Sequence, residues 1–201
     1  MTVAAIAGVT VASILSLLAS NLLHSKFHNF VFSRKLAHGI AGCVILSALY
    51  LFNSPTVPLT LSALSFILLT ATHTRLTFHG VQTKGRLSEV YFSGALVLCF
   101  LSWYFVNKEV GVAAALFMAF GDGITGMIRY PLYKTQFEKG WGGSIGMLVS
   151  CLLISLLITP YWVGAIAAVA VTLLERDKTL DDNITVPIGG LIILGAGSLY
   201  A

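Results

Sequence analysis

Long apolar runs separated by short polar segments make up most of the chain. A helix needs roughly 20 apolar residues, or 17 to 25 allowing for tilt, to cross a hydrocarbon layer about 30 Å thick. The pattern therefore predicts an all-α fold, a polytopic transmembrane bundle of about eight helices, with seven and nine as the limits. The eight runs lie at about residues 3–23, 36–52, 57–73, 90–106, 110–128, 144–159, 161–174 and 184–200.

The fifth run contains the only acidic residue that interrupts an apolar stretch, in the sequence Gly121-Asp122-Gly123. An ionised Asp at membrane depth costs at least about 2.5 to 3.5 kcal/mol on insertion scales, so it normally faces a polar cavity or a partner. We therefore expect the fifth helix to be broken near Asp122. The first run has no basic residue ahead of it, and we expect a retained helix rather than a cleaved signal.

Composition supports a membrane protein. The chain has 201 residues, of which 57% are hydrophobic and 10% charged, and its mean hydropathy is +0.89. A soluble domain carries roughly 25% charged residues. The segments between the runs are too short for a second domain, so residues 1–201 are expected to form a single transmembrane domain.

Charge is distributed unevenly between the two faces of the predicted bundle. If the helices alternate in direction, every basic residue except Lys108 and every acidic residue except Glu109 lies on one face. An excess of Lys and Arg in short loops marks the cytoplasmic face, but acids contribute little to that rule. We therefore expect a site that uses both signs of charge on the cytoplasmic face. The net charge of +4 suits anionic lipid headgroups, and nothing indicates nucleic acid.

The Asp122 motif is a candidate metal site. Glycines on both sides let a backbone or a ligand approach closely. Mg²⁺ favours one or two carboxylates together with substrate phosphates, and Asp122 could supply one. The alternative is an Asp at a helix end that pairs with Arg129.

The segment Lys139-Gly140-Trp141-Gly142-Gly143-Ser144 precedes the sixth run. Free amides at a helix start, glycines and a nearby Lys together form a plausible phosphate site. The segment is not a Walker loop, because the required spacing is absent. The alternative gives Ser144 a helix-capping role and makes the Trp an interfacial anchor.

A cluster of acids precedes the eighth run, comprising Glu175-Arg176-Asp177-Lys178 and then Asp181-Asp182-Asn183. Helix capping accounts for one of the last three residues. Adjacent carboxylates repel each other unless a cation compensates, which makes this cluster a second candidate metal or nucleotide site.

The fourth motif is Arg34-Lys35-x-x-His38 at the start of the second run. Arg34 and His38 are four residues apart and share a helix face, where they could contact an anionic group or polarise a hydroxyl. The alternative is an anchor whose basic side chains snorkel to the interface.

These four motifs, followed by Val186-Pro187, resemble in type and order the dolichol kinase, phytol kinase and yeast-type diacylglycerol kinase family, over residues 34–190 or so. The resemblance implies one transmembrane catalytic domain that phosphorylates a membrane isoprenoid alcohol or diacylglycerol at the cytoplasmic face. It further implies CTP as the γ-phosphate donor and Mg²⁺ as the cofactor. Where the family often has Lys-Ser/Thr-x-Glu-Gly-Ser, this chain has Gly140 and Gly142 in place of the hydroxyl and the acid.

The resemblance and the chemistry of the motifs together suggest residue roles. Asp122, Lys139 and Asp182 are the expected catalytic residues, and Asp122 and Asp182 the expected metal ligands. Nucleotide binding is expected of Gly121, Lys139, Gly143, Ser144 and Asn183. Orientation of the substrate or its phosphate is expected of Arg34, Lys35, His38, Glu175 and Asp181.

Two other functions fit part of the pattern. A CTP-dependent cytidylyltransferase that makes a CDP-activated lipid would use a phosphomonoester acceptor instead of an alcohol. A small transporter would bind an anion at a broken helix near the midplane, whereas the acids of this chain cluster at one interface. The sequence does not specify the oligomeric state, for which a homodimer is one option.

Overall fold

The structure is a computed structural model, and it confirms the helical bundle. It describes residues 3–27, 30–75, 78–82, 85–133, 140–177 and 179–200. The helices are α1 Val3–Phe27, α2 Phe30–Leu51, α3 Thr56–Thr72, α4 Ser88–Phe105, α5 Lys108–Leu116, α6 Asp122–Tyr133, α7 Trp141–Ile158, α8 Tyr161–Arg176 and α9 Asp182–Ser198.

Helices α5 and α6 form one continuous rod, so the rods match the eight predicted runs. A π-helical turn, Phe117–Gly121, joins the two helices. Such turns are rare and often lie at functional sites. The predicted interruption is therefore present, and it ends at the residue before Asp122.

Among the described residues, six helices are long and apolar enough to cross a membrane by length and composition. In the most apolar 18-residue window of the rod formed by α5, the π turn and α6, 78% of the residues are buried inside the protein. The corresponding share is 17% for α1 and for α3. The rod is thus the centre of the bundle, and α1 and α3 lie at its periphery. The six candidate spans are Val3–Lys26, Phe30–Leu51, Thr56–Arg75, Ser88–Phe105, Lys108–Pro131 and Trp141–Ile158.

Small side chains allow the central rod to pack closely. Ala113, Ala114 and Ala115 are fully buried, and α5 packs against α2, α4, α7 and α9. Gly111 lies against the backbone carbonyl of Cys99, where there is no space for a Cβ atom. Close approach of helix backbones through small residues is the usual basis of packing in a membrane, because lipid supplies no hydrophobic driving force between helices.

The two ends of the bundle differ as the charge pattern predicts. At one end, Lys108 Nζ donates a hydrogen bond to the Phe52 carbonyl at 2.9 Å. At the other end, which we call the polar end, lie the starts of α2, α4, α7 and α9 and the ends of α3, α6 and α8. Helix α2 begins at Phe30 rather than at the predicted residue 36, so Arg34, Lys35 and His38 lie inside it.

Candidate functional site

Asp122 is the centre of a buried charged group. Lys35 Nζ lies 2.6 Å from Asp122 Oδ1, and His38 Nδ1 lies 3.1 Å from Asp122 Oδ2. The three residues are only 5–6% exposed. Lys35 and His38 are three residues apart on α2 and therefore share a face. This group, which we call the Asp122 triad, places a nitrogen atom of α2 beside each oxygen of the Asp122 carboxylate.

Glycine at position 126 makes the triad sterically possible. The side chain of Lys35 crosses α6 at Gly126, and a Cβ atom there would overlap the Lys35 side chain. One helical turn before it, Gly123 would make only ordinary contacts with α2 if it carried a Cβ atom. Gly126 therefore provides the groove through which Lys35 reaches Asp122.

Arg129 pairs with Glu175 and not with Asp122, so the alternative partner considered for Asp122 is wrong. Arg129 Nη2 lies 2.5 Å from Glu175 Oε1, and both side chains are almost completely buried. The Arg129 side chain lies against Gly143, where a Cβ atom would overlap it. This second ion pair joins α6, α7 and α8 at the polar end.

The start of α9 is joined to the start of α4. Asp181 caps α9, because its Oδ1 accepts hydrogen bonds from the Asn183 backbone N at 3.0 Å and from Asn183 Nδ2 at 2.9 Å. Asn183 Nδ2 also donates to the Ser88 carbonyl at 3.1 Å, and the Ser88 hydroxyl donates to Asp181. Asp181 and the Asn183 amide nitrogen therefore have structural partners, whereas the buried Asn183 Oδ1 has no hydrogen-bond partner among the described residues.

Asp182 is half-buried and lies within electrostatic range of Lys35. Arg34 acts electrostatically on the Asp122 triad as well. The structure therefore brings the α2 motif, the α6 motif and the first acid of α9 to one region of the polar end.

The glycine motif forms the first turn of α7. Helix α7 begins at Trp141 with Gly140 as its N-cap, so Ser144 is not the cap that one interpretation predicted. The Ser144 amide donates to the Gly140 carbonyl at 3.5 Å and belongs to the helix. The Ser144 hydroxyl is buried without a hydrogen-bond partner among the described residues. Lys139, predicted to bind the nucleotide, lies outside the described residues.

Neighbouring contacts hold this first turn against α6. The Thr125 hydroxyl donates to the Gly143 carbonyl at 3.2 Å. Gly121, at the end of the π turn, lies against the Met147 side chain. Gly121 is therefore a packing position between the central rod and α7. Its neighbour Met147 lies about one helical turn after Ser144 on α7.

An apolar cavity leads from the triad into the bundle. Its walls come from α1, α2, α3 and α4, with Val81 from the segment between α3 and α4. It is partly open to the surroundings of the bundle. Polar side chains line it at the polar end of α2 and α4, namely Arg34, His38 and Glu89. His38 therefore belongs both to the Asp122 triad and to the cavity wall.

Comparison with known proteins gives relatives of one kind. A probable chloroplastic phytol kinase of Glycine max is 27% identical over 188 residues, covering 80% of this chain and 63% of the relative. A probable chloroplastic phytol kinase of Zea mays is 26% identical over 201 residues, covering 80% of this chain and 65% of the relative. The phytol kinase of Synechocystis is 27% identical over 184 residues, covering 83% and 79%.

The predicted resemblance to the phytol kinase family is confirmed. The chain spans just under two thirds of the length of the plant relatives. No protein-family model matches it, and no solved structure matches it.

In this chain, which resembles the phytol kinases, each oxygen of the predicted metal ligand Asp122 has a nitrogen atom of α2 close to it. A cation at Asp122 would share the carboxylate with Lys35 and His38, because each carboxylate oxygen can accept more than one contact. In the part of the chain that the structure describes, no group of three or more His, Cys, Asp or Glu side chains could hold a metal ion. Mg²⁺ can bind through one carboxylate and substrate phosphates, and Asp182 is the predicted ligand that fits such a site.

Sequence reasoning missed Glu89, which lines the cavity, and its partner His73. His73 Nδ1 lies 2.6 Å from Glu89 Oε1, and Glu89 is buried at the first turn of α4. An acid at the start of an apolar run was the available signal, but a favourable charge near the helix N-terminus explains it equally well.

Proposed function

We propose that this protein is a lipid-alcohol kinase that transfers the terminal phosphate of a nucleoside triphosphate to the hydroxyl of a membrane isoprenoid alcohol. The observation that carries the proposal is the position of His38, which contacts Asp122 and also lines the apolar cavity. A lipid tail can occupy the cavity while its hydroxyl reaches the charged residues. The names of the relatives support the kinase class and the isoprenoid acceptor.

His38 is the proposed proton acceptor. Its Nδ1 faces Asp122 at 3.1 Å, which leaves Nε2 to take the proton of the alcohol. The carboxylate orients the ring and stabilises the imidazolium that forms, as a buried Asp does in other His-dependent enzymes. General-base catalysis of this kind contributes roughly 10²- to 10⁴-fold in rate.

In the transfer step, the alcohol oxygen forms a bond to the γ-phosphorus, and the bond from that phosphorus to the β–γ bridging oxygen breaks. The proton moves to His38, and the nucleoside diphosphate leaves. Phosphoryl transfer depends mainly on positioning and charge stabilisation. Lys35 and Arg34 are the proposed cations nearest the transferred group.

The donor is proposed to bind at the polar end between α7 and α9. The first amides of α7 at Gly142 and Gly143 are a suitable contact for phosphate oxygens, and Lys139 is proposed to contribute charge. Asp182 would hold Mg²⁺, which would neutralise charge on the triphosphate. We propose CTP as the donor, as the resemblance in the sequence implies. We propose the cytoplasmic face as the side of the polar end, because alternation of the helices predicts that every Lys and Arg except Lys108 lies there.

The test is label transfer by the purified full chain in detergent. The protein is incubated with Mg²⁺ and either γ-labelled or α-labelled CTP, with a panel of phytol, geranylgeraniol, a long polyprenol, diacylglycerol and phosphatidic acid. Unlabelled CTP, ATP, GTP and UTP are added as competitors in parallel. We expect the γ label, and not the α label, to appear on an isoprenoid alcohol.

The other outcomes are equally specific. Transfer of the α label to phosphatidic acid would overturn the kinase proposal and establish a cytidylyltransferase. Transfer of neither label to any lipid, with well-folded protein, would remove the proposal altogether. If ATP inhibits label transfer more strongly than unlabelled CTP does, the kinase proposal stands, but ATP replaces CTP as the proposed donor.

A further inference from the structure

We propose that the apolar cavity is a length gauge for the acceptor's isoprenoid tail, and that Ala48 and Phe100 at its far end set the longest tail that fits. The inference rests on the proposed lipid-alcohol kinase function. It assigns a binding site for the tail and two residues that determine specificity.

The cavity has a polar and an apolar end. Residues of α1, α2, α3 and α4 line the cavity, and on α2 and α4 the residues nearest the polar end are the polar ones. Its lining residues on α2 run from Arg34 to Ala48, and those on α4 run from Glu89 to Phe100. The head of a lipid alcohol therefore has one place to bind, and its tail has one direction to extend.

The serines in the wall do not make it polar. The hydroxyls of Ser13 and Ser93 donate to helix carbonyls within their own helices, and the Ser16 hydroxyl is 3.4 Å from the Ala37 carbonyl. The Ser62 hydroxyl likewise donates to the Leu59 carbonyl at 2.9 Å. Four of the five serine hydroxyls in the wall, all but that of Ser65, therefore already have carbonyl acceptors and do not require a polar ligand. A hydrocarbon chain is the occupant that fits such a wall.

The length of the cavity follows from the helix rise. The 14-residue interval from Arg34 to Ala48 corresponds to about 21 Å, and the 11-residue interval from Glu89 to Phe100 to about 17 Å. One leaflet of a bilayer is about 15 Å deep, half of the hydrocarbon thickness. The cavity thus accommodates an extended tail of about the length of a membrane acyl chain, and a long polyprenol would exceed it.

The end of the cavity farthest from Arg34 is lined by buried side chains. Among them, Ala48 is 2% exposed and Phe100 is 4% exposed. A larger side chain at position 48 would shorten the available space, and a smaller one at position 100 would lengthen it. One methylene more or less in an apolar pocket changes discrimination by about 10- to 200-fold.

The experiment uses Ala48→Leu and Phe100→Ala in the full chain. Each has a control with the same new side chain on the outer surface of the same helix: Cys43→Leu on α2 and Phe105→Ala on α4, both at exposed positions. The ligands are geraniol, farnesol, geranylgeraniol and a long polyprenol. Two readouts are taken for each: thermal stabilisation without nucleotide, which reports binding, and transfer of the γ label.

For the wild-type protein we expect both readouts to peak at geranylgeraniol. Ala48→Leu should lower the preference for geranylgeraniol over farnesol by at least about tenfold, while farnesol still binds and reacts, which excludes simple misfolding. Phe100→Ala should increase both thermal stabilisation by the long polyprenol and label transfer to it, relative to geranylgeraniol. If both variants keep the chain-length profile of their controls, the length gauge is overturned.

The two readouts separate this inference from the proposed function. If thermal stabilisation shifts with the variants but no label reaches any alcohol, the tail site stands and the kinase fails. If label is transferred but the profiles do not shift, the kinase stands and the gauge fails.

Discussion

Lys35 on α2 and Asp122 on α6 are 87 residues apart in the chain and form a 2.6 Å ion pair inside the bundle. Each side chain is 8% exposed. Removing one partner of a buried pair leaves an uncompensated charge, which costs more than the pair itself contributes. The pair therefore constrains both residues, and its roles in folding and in chemistry need to be tested separately.

Asp122→Asn should lower the rate of label transfer by at least about 10²-fold. The amide keeps the shape of the side chain, but it carries no charge and does not stabilise an imidazolium. The measurement is the initial rate of γ-label transfer, alongside gel filtration in detergent. Glu109→Gln is the matched control, since Glu109 is exposed at the opposite end of the bundle, and it should retain wild-type rates. A fully active Asp122→Asn protein would remove Asp122 from the chemistry.

Lys35→Met and Asp122→Leu should each destabilise the protein by about 3 to 5 kcal/mol, because each leaves one buried charge unpaired. The double variant should be more stable than the sum of the single effects predicts, but inactive. Denaturant unfolding in mixed micelles gives the free energies of unfolding of the wild-type protein, the two single variants and the double variant, which together form a double-mutant cycle. Strict additivity would mean that the two side chains do not interact in the folded protein.

His38→Gln should lower kcat by about 10²- to 10⁴-fold, with little change in the KM for CTP, because the ring is proposed to act on the alcohol and not on the donor. The comparison variant is His79→Gln, since His79 is exposed in the segment between α3 and α4. A purely structural His38 would give a lower melting temperature with unchanged kcat for the folded fraction, contrary to this prediction.

Gly126→Ala should displace Lys35 from Asp122, since the added methyl group would overlap the Lys35 side chain. The expected cost is about 1 to 3 kcal/mol of stability, as for other overpacked positions, together with loss of most activity. Gly39→Ala adds the same methyl group where nothing lies within 4 Å. That control should be neutral or slightly stabilising, because Ala favours a helix by about 1 kcal/mol over Gly. Equal behaviour of the two variants would contradict the groove at Gly126.

The sequence predicted the helices well because each apolar run carries its own signal. The fifth run also indicated a break, since an acid between two glycines does not suit an uninterrupted span. The start of α2 was placed six residues late, because the charged Arg34 and Lys35 lie outside the apolar run from which the helix was predicted. Pairing with Asp122 explains why Lys35 can lie inside the helix.

The contacts of the site were beyond the sequence. Lys35 and Arg129 are both plausible partners for Asp122 by charge, and only the rotation of α6 against α2 and α8 decides between them. The role of Asp181 was ambiguous for the same reason, since its bond with Ser88 depends on how α4 and α9 pack. The cavity has no local signal at all, because four helices must pack together before it exists.

The π-helical turn makes the position of the triad depend on the number of residues in the rod, and not only on their type. A π turn closes i→i+5 hydrogen bonds and therefore holds one residue more than an α-helical turn. Loss of one residue within Phe117–Gly121 would convert the turn to regular α-helix and leave Asp122 facing α2, whereas gain of one residue would turn Asp122 by about 100°. A single deletion in this turn should therefore be tolerated far better than a single insertion.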